Sequence, residues 1–222
     1  MLLSSILRAT EILSKGWQVI LPLISSGGIF SMVRAFLAID LPKDLKKDLY
    51  SLVQIPLPEG VKIKWVEEEN LHLTLKFFGH IKENLISKIQ KACERALETF
   101  PPFLVFLANL GTFPEKGTPR VIWLGLEDQD KKIYSLEESL RKALRPLKLN
   151  EEKEAFHPHI TLLRVKGIED FEAFQGFLEG LKEKVKPFLA KSFWVREIVL
   201  FKSELHPKGP KYTPLAKIPL KG

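Results

Sequence analysis

The chain has 222 residues, 45% of them hydrophobic and 27% charged, which is enough to bury the core of one substantial domain or of two small lobes. The single cysteine, Cys93, excludes a disulfide framework and a cysteine-based zinc site, and it fits a reducing cytoplasm. No uninterrupted apolar run reaches about 18 residues, so we predict a cytoplasmic protein without a membrane span. The net charge of +7 favours an anionic partner such as nucleic acid, and a lysine-rich solvated surface is the alternative.

Residues 1–31 differ from the rest of the chain. They include a short apolar segment after two basic residues, but that segment contains Pro22 and is followed by no clear small-residue cleavage site. Two adjacent glycine codons just before Met32 can form a purine-rich ribosome-binding sequence. We therefore expect residues 1–31 to be a mis-started leader, with a disordered extension or a targeting segment as the alternatives. Residues 32–222 are expected to form a single domain.

Hydrophobic periodicity predicts an alternation of strands and helices, because strands repeat every two residues and helices every three to four. In chain order the predicted elements are a strand over 33–39, a helix after Pro42, a strand over 62–66, a strand from Leu71, a helix over 85–97, strands over 103–110 and 120–126, a helix over 133–144, a strand near His159, a short helix over 171–178, and strands over 192–204 and 212–218. Cys93 lies on an apolar helix face, which predicts a buried, inert thiol. The pattern predicts one α+β domain of two pseudo-equivalent lobes, with the motif strands near the central groove.

Two of these strands carry the same motif, His-apolar-Thr-apolar. The first copy lies in the sequence LHLTLKFFG, with His72 and Thr74, and the second in FHPHITLLR, with His159 and Thr161. On a strand, residues two apart share a face, so each copy presents an imidazole and a hydroxyl together while the intervening apolar residues point to the core. If a pseudo-twofold relates the copies, two imidazoles and two hydroxyls face one cleft.

That set of groups suits the acid–base cleavage of a phosphodiester. One neutral histidine accepts a proton, one protonated histidine donates a proton, and the hydroxyls bind phosphoryl oxygens. A lone strand histidine is usually structural, so the inference depends on the repetition. A metal pair at His157 and His159 is an alternative, but only three further histidines are available to complete a ligand set, and we predict no metal. No phosphate-cradling glycine motif is present, so we also predict no nucleotide cofactor.

The tandem motifs, their flanking sequence and their spacing resemble those of the two-histidine phosphoesterases, and within them the RNA 2′,3′-cyclic phosphodiesterases, also called 2′-5′ RNA ligases. The resemblance extends from Met32 to Tyr212. It implies a bilobal α+β fold, with two pseudo-symmetric antiparallel sheets and outer helices around a central cleft. Leu163 departs from the pattern, because relatives usually carry a small residue there.

Three cationic residues are candidates for binding the substrate phosphate. Arg164 lies three residues after Thr161, on the opposite side of an ideal strand, yet the resemblance places an arginine at this position near the phosphate. Arg120 opens a strand, and the resemblance implies that similar arginines line the cleft. Lys76 has the same strand parity as Thr74. For Arg164 a salt bridge is the alternative role.

The resemblance implies a metal-independent enzyme that hydrolyses RNA 2′,3′-cyclic phosphate ends to 2′-phosphomonoesters, with possible reverse 2′-5′ ligation. We assign His72 as the general acid and His159 as the general base, with Thr74, Thr161 and Arg164 on the phosphate. A phosphodiesterase for small cyclic phosphates, such as an ADP-ribose cyclic phosphate, is one alternative. A non-catalytic RNA- or nucleotide-binding module is the other. We expect the protein to act as a monomer.

Overall fold

A computed structural model describes residues 31–149, 155–207 and 209–222. The prediction for residues 1–31 lies outside the described residues, except at Ser31. Within the described ranges the elements are β1 (Met32–Asp40), α1 (Lys43–Tyr50), β2 (Val61–Trp65), β3 (His72–Lys82), α2 (Ile86–Ala96), β4 (Phe103–Phe113), β5 (Val121–Glu127), α3 (Lys132–Leu144), β6 (His159–Ile168), α4 (Phe171–Val185), β7 (Ser192–Val195), β8 (Glu197–His206) and β9 (Gly209–Pro219).

The strands form two lobes that meet at the motif strands. One lobe has the antiparallel order β3-β1-β8-β9, and the other has β7-β4-β5-β6, with β2 also paired to β6. The lobes join where β3 pairs with β6 through Leu73 and Ile160. The predicted α+β bilobal fold is confirmed, with one difference: this bridge links the two expected sheets into a single curled sheet.

One continuous core lies behind both motif strands. Leu73 and Leu75 of β3 and Ile160 and Leu162 of β6 are all at most 2% exposed, as the period-two pattern predicts. All four helices add apolar side chains to the same core, and α2 packs against α3 and β9. The helices thus cover one face of the sheet, and the histidine face is left open on the other side.

The predicted strand over 192–204 is wrong as a single element, because the chain breaks at Arg196 into β7 and β8. β7 pairs with β4 in one lobe, and β8 pairs with β1 in the other. The apolar pattern runs through the break because both segments are half-buried strands, so periodicity alone does not reveal the change of partner. This crossing ties the C-terminal hairpin of β8 and β9 to the first lobe.

Cys93 is fully buried on the inner face of α2, as predicted. Burial raises the pKa of its thiol to about 12, so the reactive thiolate is scarce at neutral pH. Among the residues that the structure describes, no helix is long and apolar enough to cross a membrane.

Candidate active site

A cleft of about 520 Å³ lies between the lobes, on the face of the sheet opposite the core. This volume falls in the range of small-ligand sites. Its lining includes the four motif residues, four cations, one carboxylate and several aromatic rings: His72, Thr74, His159, Thr161, Arg34, Lys64, Arg164, Lys166, Glu67, Phe36, Trp65, Phe77 and Tyr212. The cleft therefore has the positive charge and the ring surfaces that suit an aromatic anion.

The register of β3 against β6 brings the two motifs together. Leu73 and Ile160 are direct antiparallel partners, and both point into the core. Their chain neighbours point to the opposite face of the sheet, where they form one compact group. His72, Thr74, His159 and Thr161 all line the cleft. The predicted convergence of two imidazoles and two hydroxyls is thus present in the fold.

Both imidazoles are held in the same orientation by a backbone carbonyl two residues earlier. The Nδ1–H of His72 donates to the carbonyl of Asn70 at 2.6 Å, and the Nδ1–H of His159 donates to the carbonyl of His157 at 2.7 Å. With the proton on Nδ1, Nε2 carries the lone pair in each neutral ring. The hydroxyl of Thr74 donates to Nε2 of His72 at 3.0 Å. Nε2 is therefore the nitrogen available for proton transfer on both strands.

Arg164 reaches the cleft because of a β-bulge. Thr161 pairs with Trp123 and Leu163 with Ile122, so Leu162 is an extra residue in β6. Leu162 and Leu163 both point into the core, at 2% and 0% exposure, and Arg164 returns to the face of Thr161. Arg164 thus lies on the cleft side, contrary to the parity of an ideal strand.

A matching bulge in β3 has the opposite effect on Lys76. Thr74 pairs with Ala38 and Lys76 with Leu37, so Leu75 is the extra residue. Leu37 is a core residue, and Lys76 shares its side of the sheet, whereas Phe77 turns to the cleft. Lys76 is therefore not among the residues that line the cleft. Its prediction assumed that the side chains of β3 alternate without interruption, and the bulge interrupts that alternation.

Arg120 also lies outside the cleft lining. It is an exposed residue just before β5, and its backbone N–H and carbonyl bond to Phe113 and Val165. Its backbone thus joins β4 to β6. Its side chain is not brought together with the motif residues.

Several cleft residues were not predicted from the sequence. Lys166 follows Arg164 by two residues, so strand parity was a usable signal once Arg164 was chosen. Lys64 is the pairing partner of Arg164 on β2, which only the register reveals. Arg34 and Tyr212 come from strands near the two ends of the described chain, and no local pattern joins them to the motifs.

Burial favours the neutral form of both histidines. The pKa of His72 is lowered to about 4, mainly by desolvation and to a smaller extent by the charges of Lys46 and His159, while the Asn70 carbonyl and the Asp40 carboxylate act in the opposite direction. Desolvation also lowers the pKa of His159, with further lowering by the charges of His157 and Arg164. A bound phosphate anion has the opposite effect, since a negative charge favours imidazolium.

A buried ammonium supports the turn that orients His72. Lys46 on α1 is 8% exposed, and its Nζ donates to the Glu69 carbonyl at 2.8 Å and lies 2.6 Å from Asp40 Oδ1. The adjacent Asn70 donates through Nδ2 to the Pro210 carbonyl at 2.8 Å. The carbonyl that accepts from His72 therefore belongs to a residue anchored from two sides.

Aromatic rings pack around each imidazole. The ring centroid of His72 lies 5.0 Å from that of Phe36 and 5.4 Å from that of Tyr212, and that of His159 lies 5.0 Å from that of Phe113. Trp123 contacts His159 at 6.0 Å. These rings restrict the imidazoles and exclude water from their flanks.

Among the described residues, no group of three or more histidine, cysteine or carboxylate side chains could hold a metal ion. His157 lies 6.1 Å from His159 between ring centroids, and it packs against Trp123 at 4.5 Å. Its carbonyl orients His159, so the part of His157 that serves the cleft is its backbone.

Comparisons with known proteins agree with this geometry. The chain is similar to the RNA 2′,3′-cyclic phosphodiesterase of Thermotoga maritima, with 34% identity over 190 residues that cover 86% of this chain and 97% of that protein. The crystal structure of TT0787 from Thermus thermophilus has 29% identity and a TM-score of 0.69, and covers 85% of this chain and 98% of its own. Escherichia coli LigT complexed with 3′-AMP has 26% identity and a TM-score of 0.67, over 86% and 100%. A family model matches residues 59–207, and the chain belongs to the 2′-5′ RNA ligase superfamily.

Proposed function

We propose that this protein hydrolyses the 2′,3′-cyclic phosphate ends of RNA to 2′-phosphomonoesters without a metal ion. The observation that carries the proposal is the pair of imidazoles, each held at Nδ1 by a carbonyl, with both rings lining one cationic cleft. Relatives named RNA 2′,3′-cyclic phosphodiesterase support the substrate class. A cyclic phosphate diester carries one negative charge, which the cleft cations attract.

In the proposed reaction, water attacks phosphorus while the bond from phosphorus to the 3′ oxygen breaks. Nε2 of His159 accepts the proton that the water loses, and Nε2–H of His72 donates a proton to the 3′ oxygen. Protonation of His72 at Nε2 ends the hydrogen bond that this nitrogen accepts from Thr74, so the hydroxyls of Thr74 and Thr161 can both donate to the non-bridging oxygens. The guanidinium of Arg164 offsets the charge that develops on the pentacoordinate phosphorus.

Both imidazoles start neutral in the free protein. Burial is the main reason why the pKa of His72 is about 4; the charges of Lys46 and His159 also disfavour its protonation, and the Asp40 carboxylate favours it. Burial and the charges of His157 and Arg164 lower the pKa of His159. His159 can therefore act as the base from its resting state, whereas His72 acts as the acid once the bound phosphate anion favours its imidazolium form.

The same groups can catalyse ligation when a 5′-hydroxyl takes the place of water as the nucleophile. His159 then accepts the proton of that hydroxyl, His72 donates a proton to the 3′ oxygen, and a 2′-5′ linkage forms as the bond from phosphorus to the 3′ oxygen breaks. Hydrolysis dominates when water is the only nucleophile at high concentration. The direct measure of ligation is the joining of two oligonucleotides with a cyclic phosphate end and a 5′-hydroxyl end.

The test is to incubate the protein with adenosine 2′,3′-cyclic phosphate, with an oligonucleotide that has a cyclic end, and with ADP-ribose cyclic phosphate, all in excess EDTA. We expect a 2′-monophosphate product, identified by ³¹P NMR, and higher kcat/KM for the oligonucleotide. Preference for the ADP-ribose compound would support the small-molecule alternative. Binding without turnover by any of the three would support the non-catalytic alternative, and activity abolished by EDTA would overturn the metal-free mechanism.

We further propose that the protein acts as a monomer in the cytoplasm. Both histidines, both threonines and the cleft cations come from one chain, so catalysis needs no second copy. The single buried cysteine suits a reducing compartment. Light scattering coupled to size-exclusion chromatography measures the mass, and a dimer at assay concentration would contradict the first part.

A further inference from the structure

Arg34 is a cleft residue to which the reaction above gives no role. On β1 it shares a face with Phe36 and Ala38, which lie beside the first motif. Its guanidinium lies over the ring of Phe77, 4.5 Å from the ring centroid. It also donates from a terminal nitrogen to the hydroxyl of Ser203 on β8. Arg34 is therefore held in place by a ring and a hydroxyl.

The internal symmetry of the fold relates Arg34 to Arg164 of the other lobe. Each motif strand has its bulge directly after the threonine, and the residue three positions beyond the threonine returns to the cleft. In β6 that residue is Arg164, and in β3 it is Phe77. Because Arg34 covers Phe77, a guanidinium occupies the corresponding place in both lobes.

The two guanidiniums lie toward opposite ends of the row of motif residues. β3 and β6 are antiparallel at Leu73 and Ile160, so the residues that follow the two threonines diverge. Phe77 pairs with Phe36, two residues along β1 from the Ala38 that pairs with Thr74. Two residues of strand span about 7 Å, which is comparable to the span of one nucleotide. The strand position of Phe77, over which Arg34 lies, is therefore about one nucleotide's span from that of Thr74.

Tyr212 lines the same cleft as the two cations. Its ring packs on Phe36 at 4.8 Å and on His72 at 5.4 Å between centroids. Burial raises the pKa of its hydroxyl, and the charges of Arg34 and Arg164 both act against that rise. The hydroxyl is thus within electrostatic reach of both guanidiniums.

We propose that Arg34 binds a second phosphate of the substrate, the one attached to the 5′ oxygen of the nucleotide that carries the cyclic end. This inference rests on the proposed function and names the substrate more closely: a cyclic phosphate end with a phosphate on its 5′ side, as in RNA or a nucleoside 5′-phosphate. A guanidinium has five N–H donors, so the bond to Ser203 leaves a fork that suits phosphate. The contacts with Phe77 and Ser203 hold the guanidinium in place before a phosphate binds.

The test compares two substrates that differ only by this phosphate, adenosine 2′,3′-cyclic phosphate with and without a 5′-phosphate. The quantity measured is the ratio of their kcat/KM values. We expect the wild-type protein to prefer the 5′-phosphorylated compound and Arg34→Gln to lower this ratio by about tenfold or more, the usual effect of one charge-assisted hydrogen bond. Arg34→Lys is expected to lower it less, since the charge remains but the fork is lost.

Matched variants separate the second phosphate from the first. Arg164→Gln is expected to lower kcat/KM for both substrates and to leave their ratio near the wild-type value. Arg141 is an exposed arginine on α3, and Arg141→Gln should change neither the kcat/KM values nor their ratio. Phe77→Leu keeps the charge of Arg34 but removes the ring that its guanidinium contacts. We expect it to lower the ratio less than Arg34→Gln does, and it replaces Arg34→Gln in the test if that variant does not fold.

Three outcomes would overturn the inference. The first is a wild-type ratio near one, and the second is an unchanged ratio in Arg34→Gln without loss of activity. The third is an equal loss for both substrates in Arg34→Gln, which would assign Arg34 to the scissile phosphate. Failure of the wild-type protein to hydrolyse either compound would instead refute the proposed function. The two ideas therefore fail in different measurements.

Discussion

Replacing His72 with asparagine is expected to remove a pH-dependent loss of stability. In the folded protein, burial lowers the pKa of His72 to about 4, whereas an unfolded histidine has a pKa of about 6.5. Between these values the unfolded chain binds a proton that the folded one does not. The folded state is therefore destabilised as the pH falls from about 6.5 towards 4, and this penalty is absent above pH 7.

The size of the effect follows from the same two pKa values. Each unit of difference corresponds to 1.36 kcal/mol, so the penalty reaches at most about 2.5 kcal/mol at pH 4.5. His72→Asn keeps a polar side chain but cannot be protonated in this range. The free energy of unfolding of the variant, relative to the wild type, should therefore rise by up to that amount between pH 7.5 and pH 4.5.

The assay is urea unfolding followed by tryptophan fluorescence at four pH values between 7.5 and 4.5, with the two proteins compared at each. Taking the difference cancels the contribution of carboxylates that both proteins share. His159→Asn should change in the same direction, because desolvation lowers the pKa of that histidine too. Parallel stability curves for wild type and His72→Asn would refute the claim that the folded protein holds this imidazole neutral.

Four further predictions concern activity. His72→Ala and His159→Ala should each lose about 10²–10⁴-fold in kcat, and the double variant should lose less than the product, since both act in one transition state; multiplicative losses would separate the two motifs. The pH at which kcat/KM begins to decrease on the alkaline side should lie below about 6.5, because both imidazole pKa values are lowered in the free protein. For kcat this decrease should begin at a higher pH, because the bound anion favours imidazolium. A kcat/KM that stays constant above about pH 7.5 would contradict this. Lys46→Met should cost about 1–3 kcal/mol of stability and lower kcat more than it changes KM. It should also shift the alkaline decrease of activity to higher pH, since the ammonium no longer opposes the His72 cation. An unchanged pH profile would limit Lys46 to a structural role. Log kcat/KM for an oligonucleotide should fall with log salt more steeply than for a mononucleotide, by about 0.7 for each extra phosphate engaged, and equal slopes would remove the charge-based support for RNA.

The sequence by itself determined which residues face away from the core. Period-two alternation is a local property of a strand, so His72 and Thr74 could be placed together, and His159 with Thr161, without knowledge of any partner strand. The repetition of the motif indicated a common cleft, and the register of Leu73 with Ile160 agrees with it. Helix faces followed in the same way, as the burial of Cys93 illustrates.

Only the tertiary structure decided where that alternation ends. The bulges at Leu75 and Leu162 turn Lys76 away from the cleft and Arg164 into it, although parity predicted the reverse. A bulge exists only between two paired strands, and the pairing joins residues far apart in the chain, so no local pattern contains it. The same reason applies to Arg34, which becomes a cleft residue because β1 lies between β3 and β8.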